Sequence, residues 1–141
     1  MKPASIKKFD MLYLAALIAL VLSVVLNLDA ITDLSETEAA LAGQPSLGAA
    51  GVLLGLGLVT LLALVFWFLI SRLRIEMLKW LVALVSAYLL VSVIAAMGSV
   101  PLTSIGFEVA MAVLLAAATY FLFQSDAKEW FAAKRGGDNS E

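Results

Sequence analysis

The segment Ser71-Arg72-Leu73-Arg74-Ile75-Glu76-Met77-Leu78-Lys79-Trp80 decides how this chain folds. It lies at the middle of the sequence, carries three basic residues, and is flanked by two long apolar runs. The run before it, Gly48 to Ile70, ends in Phe66-Trp67-Phe68, the aromatic belt expected where a helix leaves a bilayer. The run after it extends from Trp80 to Met97. No Gly or Pro occurs between Gly57 and Gly98, so no breaker marks the turn. A single helix over 58–97 would nevertheless run ~60 Å, twice the hydrocarbon thickness. The charges therefore mark a tight hairpin near Arg72 to Glu76, on one side of a membrane.

Composition supports the same class. Of the 141 residues, 63% are hydrophobic and mean hydropathy is +1.04, more apolar surface than a soluble domain of this size can hide. Working outward, Met11 to Leu28 forms a further apolar run behind a basic start with Lys2, Lys7 and Lys8. A cleaved signal peptide is the competing reading of this start, but Leu28 sits where a cleavage site near Ala30 needs a small residue. Downstream, Gly98-Ser99-Val100-Pro101-Leu102-Thr103 is a turn holding both strong breakers. Ser104 is placed to cap a fourth run, Ile105 to Gln124. The expected fold is all-α: one polytopic membrane domain over 1–141, a four-transmembrane-helix bundle with spans at 11–28, 48–70, 80–97 and 105–124.

Polar segments complete the plan. The stretch 29–47 carries Asp29, Asp33, Glu36 and Glu38 and no base. Within it Ser35-Glu36-Thr37-Glu38 fits a capping box, and Gly43 a helix stop, so a short surface helix is expected over 36–42. The tail 125–141 opens with Ser-Asp-Ala-Lys-Glu-Trp-Phe, an amphipathic piece whose Trp130 and Phe131 are expected to dip into the interface. Its end, from Gly136 to Glu141, is expected to be disordered. With the central turn in the cytoplasm, all nine Lys and Arg residues fall inside and none outside. The positive-inside rule then gives cytoplasmic termini.

Several chemistries are excluded by what is missing. There is no Cys and no His, which removes thiol redox chemistry, Cys/His metal sites and a His base. Membrane proteins that pass disulfides to quinones need cysteines and are excluded with them. A net charge of −2 with scattered basic residues gives no nucleic-acid footprint. No Lys, Arg, His or Asp lies at mid-span, where a coupled transporter normally carries one. No cofactor is implied, and the four acids of 29–47 lack the spacing of a calcium loop.

Two sets of residues remain as candidates. Glu108 lies about one turn into the fourth span, and Asn27 sits at a similar depth at the end of the first. Together they could form a cation or partner site at the outer entrance, although an acid in a first helical turn is also favoured by the helix dipole alone. The second set is small residues at four-residue spacing: Ala15, Ala19, Ser23 and Asn27; Gly51 and Gly55; Ala83 and Ala87; Ser92 and Ala96; Gly106 and Ala110; Ala112 and Ala116. Such faces let helix backbones approach, whether to pack the bundle itself or to dock another subunit.

The two halves share a plan, and Phe66-Trp67-Phe68-Leu69-Ile70-Ser71 loosely echoes Tyr120-Phe121-Leu122-Phe123-Gln124-Ser125. Three stretches carry a wider likeness: Lys2-Pro3 through Leu12-Tyr13-Leu14, the basic turn ending Lys79-Trp80, and Ser125-Asp126-Ala127-Lys128-Glu129-Trp130-Phe131. On these the chain resembles a group of small four-span bacterial membrane proteins, which implies an inner-membrane location and supplies no activity or site residues. The expected role is non-catalytic: association through helix faces, as a homo-oligomer or as an accessory subunit of a membrane complex, with the lipid bilayer as the other partner. The alternative is a carrier or channel for a small or lipophilic molecule, with Glu108 and Asn27 near its entrance.

Overall fold

The computed structural model describes residues 1–99, 101 and 105–137, with side chains as far as Ala133. Six helices and no strand occur among them: α1 Ala4–Leu26, α2 Leu28–Leu41, α3 Gly48–Ser71, α4 Leu78–Met97, α5 Gly106–Leu122 and α6 Ser125–Gly137. α1, α3 and α4 have 23, 24 and 20 residues and are apolar enough to cross a membrane. α5 has 17 residues, ~26 Å at the helical rise, just short of the ~30 Å core. It reaches span length only together with α6, from which it is bent by 61°. The fold is therefore all-helical, with three helices long and apolar enough to cross a membrane, and a fourth span only if the bent pair α5 and α6 counts as one.

The hairpin falls where the charges predict it, between Ser71 and Leu78. In the absence of glycine, Arg74 itself adopts the left-handed conformation, with φ 56°. The Ile75 N–H reaches back to the Leu69 carbonyl at 3.1 Å and closes the end of α3. Both neighbouring spans thus extend into the turn, and α4 starts two residues before Trp80.

Neighbours in the bundle follow one order. α5 packs most extensively on α1 and next on α4, α3 lies on the other flank of α1, and the α3–α4 seam is thin. The core explains this. On α1 the buried residues Ile6, Phe9, Tyr13 and Ala16 recur at three- and four-residue steps, so they line one helix face. α5 presents Ala112, Leu115, Ala118 and Leu122 in the same way. Ile70, Val82, Ala127, Trp130 and Phe131 join them at the end that holds the hairpin, called the basic end below. Burial thins towards the far end, where bare leucines and valines meet a solvent as apolar as themselves when the chain is in lipid.

Three expectations need correction. The segment 29–47 holds one long helix, α2, which starts only one residue after α1 ends. Ser35 lies inside it and its hydroxyl donates to the Thr32 carbonyl at 2.8 Å, so it caps nothing. The helix starts early because Leu28 to Leu34 contains no breaker, and α2 packs back on α3. Its end is as predicted: Gly43 has φ +66°, and the N–H groups of Gly43 and Gln44 return to the carbonyls of Ala40 and Ala39, a Schellman stop. Second, Trp130 and Phe131 turn inward and are 8% and 1% exposed, so they belong to the core. Third, helix α6 continues through Gly136 to Gly137. The proposed cap at Ser104 and the last residues 138–141 lie outside the described residues.

Candidate functional site

At the far end, Asn27 is the joint between α1 and α2. Its side-chain amide donates to the Ser23 carbonyl at 2.8 Å and its backbone N–H to the same oxygen at 3.1 Å. The residue is exposed and its amide caps its own helix. Glu108 lies in the first turn of α5, the position that the helix dipole favours for an acid. It too is exposed, and no hydrogen bond or ion pair joins it to Asn27. Among the described residues no three acidic side chains gather into a group able to hold a metal ion.

The small residues are distributed unevenly. Ala112 is buried, while Ala116, Ala15, Ala19 and Ser23 are half-buried. The α1 face pressed on the bundle core is the one carrying Phe9, Tyr13 and Ala16. On α3, a Cβ added at Gly51 would come within 2.7 Å of the Leu47 Cβ, so this glycine serves the entry of its own helix. Gly55 and Gly57 differ: a Cβ at either would meet no atom within 4 Å. Of the 24 residues of α3, only Ile70 and Ser71 at its end are buried.

Between α1, α3, α4 and α5 lies an apolar cavity of about 370 Å³. Tyr13 and Leu17 from α1, Ala63 and Phe66 from α3, Val85 from α4 and Met111 from α5 contribute to its wall. Its most polar feature is Tyr13, whose O–H donates to the Ala63 carbonyl at 2.9 Å and ties α1 to α3.

The basic end holds the densest polar structure. The Lys2 ammonium meets the Asp10 carboxylate at 2.8 Å and also donates to the Ser71 hydroxyl. The other Asp10 oxygen accepts from the Trp67 indole N–H at 2.9 Å. This knot fastens the N-terminal segment to the end of α3. Lys79 is only 5% exposed; such a buried charge needs a partner, and Glu76 supplies the carboxylate. The Lys79 ammonium also lies 5.2 Å from the Phe123 ring centre and 5.9 Å from that of Phe131. The Arg74 guanidinium sits 4.6 Å from the Trp130 ring centre. Cation–π contacts thus latch α6 onto the hairpin. At the start of α6, the Asp126 carboxylate accepts the Ser5 N–H at 3.2 Å and the Ala127 N–H at 3.0 Å. Hydrogen bonding at Ser5 holds the Asp126 carboxyl below the usual carboxylate range.

The knot and the latch are not visible as motifs. One signal was available for the knot: Asp10 is the only acid in the first 28 residues, set among lysines at the mouth of a span. No protein-family model, curated protein or solved structure matches this chain.

Proposed function

We propose that the chain is a non-catalytic multi-pass membrane protein that acts by association through the open face of α3, with itself or with another membrane subunit. The observation that carries this reading is the bare backbone at Gly55 and Gly57 on an apolar helix that the rest of the bundle leaves almost uncovered. In lipid, helices gain little by hiding leucine, and close backbone approach at small residues is what favours contact. Gly55→Leu tests it, because the added side chain meets nothing within the protomer. In mild detergent, light scattering is expected to detect an assembled form of the wild type that the variant lacks. Equal masses for both would remove the reading. Gly51→Leu is a poorer probe, since it strains the contact with Leu47.

The same reading places the protein in a bacterial inner membrane with both termini in the cytoplasm. Its support is the separation of nine basic residues from two base-free outer segments and the resemblance already described. The cysteine-free sequence suits single-cysteine labelling. Ser99→Cys is expected to react with an impermeant reagent from the periplasmic side, and Ala133→Cys only after the membrane is opened. The apolar cavity favours a second reading, a carrier for a lipophilic molecule. Val59→Trp and Val85→Trp fill the cavity from exposed wall positions. Loss of binding of a hydrophobic fluorophore in both would favour the carrier, and unchanged binding would count against it.

A further inference from the structure

A second hollow, of about 310 Å³, opens at the basic end between α1, α5 and the start of α6. This volume is at the lower end of the range for small-ligand sites, ~300–1,000 Å³. Ser5 and Lys8 form one wall, Tyr120 and Phe121 another, and Gln124 and Asp126 the third. Unlike the mid-bundle cavity, its lining is polar and carries opposite charges. Lys8 is exposed, and its ammonium lies 5.1 Å from the Phe121 ring centre. Among the described residues no carboxylate pairs with it, and no ion pair joins it to Asp126 although both line the hollow. Asp126 is fixed by the N–H groups of Ser5 and Ala127. These occupy two of the about four acceptor positions of a carboxylate, which leaves room for another donor.

We propose that this hollow binds the headgroup of a phosphoethanolamine lipid, with the phosphate on Lys8 and the primary ammonium on Asp126. The ligand must carry both charges, since a purely anionic headgroup would set its charge against Asp126. It must also carry N–H donors. A quaternary ammonium cannot donate to a carboxylate, and the aromatic face that would suit it is already covered by Lys8. The Tyr120 hydroxyl and the Gln124 amide add donors for phosphate oxygens. Tyr120 is 64% exposed on the last turns of a span, where aromatic side chains meet headgroups. The acyl chains of such a lipid would lie along the apolar outer surface of α5. This inference does not depend on association through α3, which lies on the other flank of α1.

Native mass spectrometry of the full chain tests it, with an equimolar mixture of chain-matched phosphatidylethanolamine, phosphatidylcholine and phosphatidylglycerol. The wild type is expected to retain phosphatidylethanolamine in preference to both others. Lys8→Gln, at an exposed site, is expected to lower that retention about fivefold, the scale of one lysine at a lipid surface. Asp126→Asn is expected to move the preference towards phosphatidylglycerol. Retention of either other lipid as strongly as phosphatidylethanolamine by the wild type would overturn the proposal, and so would unchanged retention in Lys8→Gln. Soluble glycerophosphoethanolamine separates lipid from free headgroup. It is expected to compete only weakly, and displacement as complete as that by the lipid would overturn the assignment to a lipid.

Discussion

Removing the Phe131 ring should release α6 from the bundle. The ring is 1% exposed, lies 5.2 Å from the Trp130 ring centre and covers one side of the buried Lys79 ammonium. Phe→Ala changes in cores cost about 3–5 kcal/mol. The lower end, about 3 kcal/mol, applies here, because a detached Phe131 would pass into the lipid interface and not into water. At 1.4 kcal/mol per tenfold, the population with α6 detached should rise on the order of 100-fold. Tryptic cleavage after Lys128 reads that population when opening and closing outpace cleavage, since Lys128 is exposed but held in helix. Phe131→Leu keeps most of the volume and should cost less than about 1.5 kcal/mol, so its cleavage rate should rise about tenfold at most. If Phe131→Ala is cleaved within about threefold of the wild-type rate, with its helix content unchanged, the ring does not hold α6 and the latch is wrongly assigned.

Three further outcomes follow from the geometry. Arg74→Gly relieves a left-handed backbone worth about 1–2 kcal/mol but loses a cation–π contact worth about 0.5–1 kcal/mol. Arg74→Ala loses the contact and keeps the strain, so unfolding midpoints should rank glycine above alanine; the reverse order would contradict the turn geometry. Tyr13→Phe removes one hydrogen bond between α1 and α3 and should lower stability to unfolding in mixed micelles by about 0.6 kcal/mol, the average for such bonds in a bilayer; a loss above about 2 kcal/mol would mean that the hydroxyl also supports something else. Asp126 titrates below its ordinary range when folded, so its tie between α1 and α6 is fully present above the ordinary aspartate value of about 3.9 and is lost as pH falls through the lower folded value. Peptic cleavage within α6 should therefore rise on acidification below about pH 4 in the wild type, and Asp126→Asn should flatten that rise.

Much of the fold is legible because membranes impose coarse rules. The apolar runs, the charged hairpin and the Gly43 stop follow from run length, charge and left-handed backbone preference. Departures occur where a local signal competes with its surroundings. Ser35 to Glu38 has the letters of a capping box, but helix propagates from Asn27 through an unbroken Leu28–Leu34 and absorbs it. The fourth span ends in a sharp bend near Phe123 with neither Gly nor Pro to announce it. Trp130 and Phe131 look interfacial in isolation but are buried in the core, where Arg74 and Lys79, 56 and 52 residues earlier, offer cations to their faces. The knot at Asp10 has the same character, since Trp67 is 57 residues away. Among the candidates, Asn27 and Glu108 were visible by type and depth, but whether a polar side chain faces a neighbour depends on helix rotation, which the sequence leaves open.

The central claim is association through the open face of α3, and photocrosslinking from that face in native membranes tests it most directly. A photoreactive residue at Leu54 or Leu58, both exposed beside Gly55, should give a discrete protein adduct, either a dimer of the chain or one other membrane protein. The adduct should disappear in the Gly55→Leu background. Adducts with lipid alone, or a protein adduct that Gly55→Leu leaves unchanged, would contradict the account.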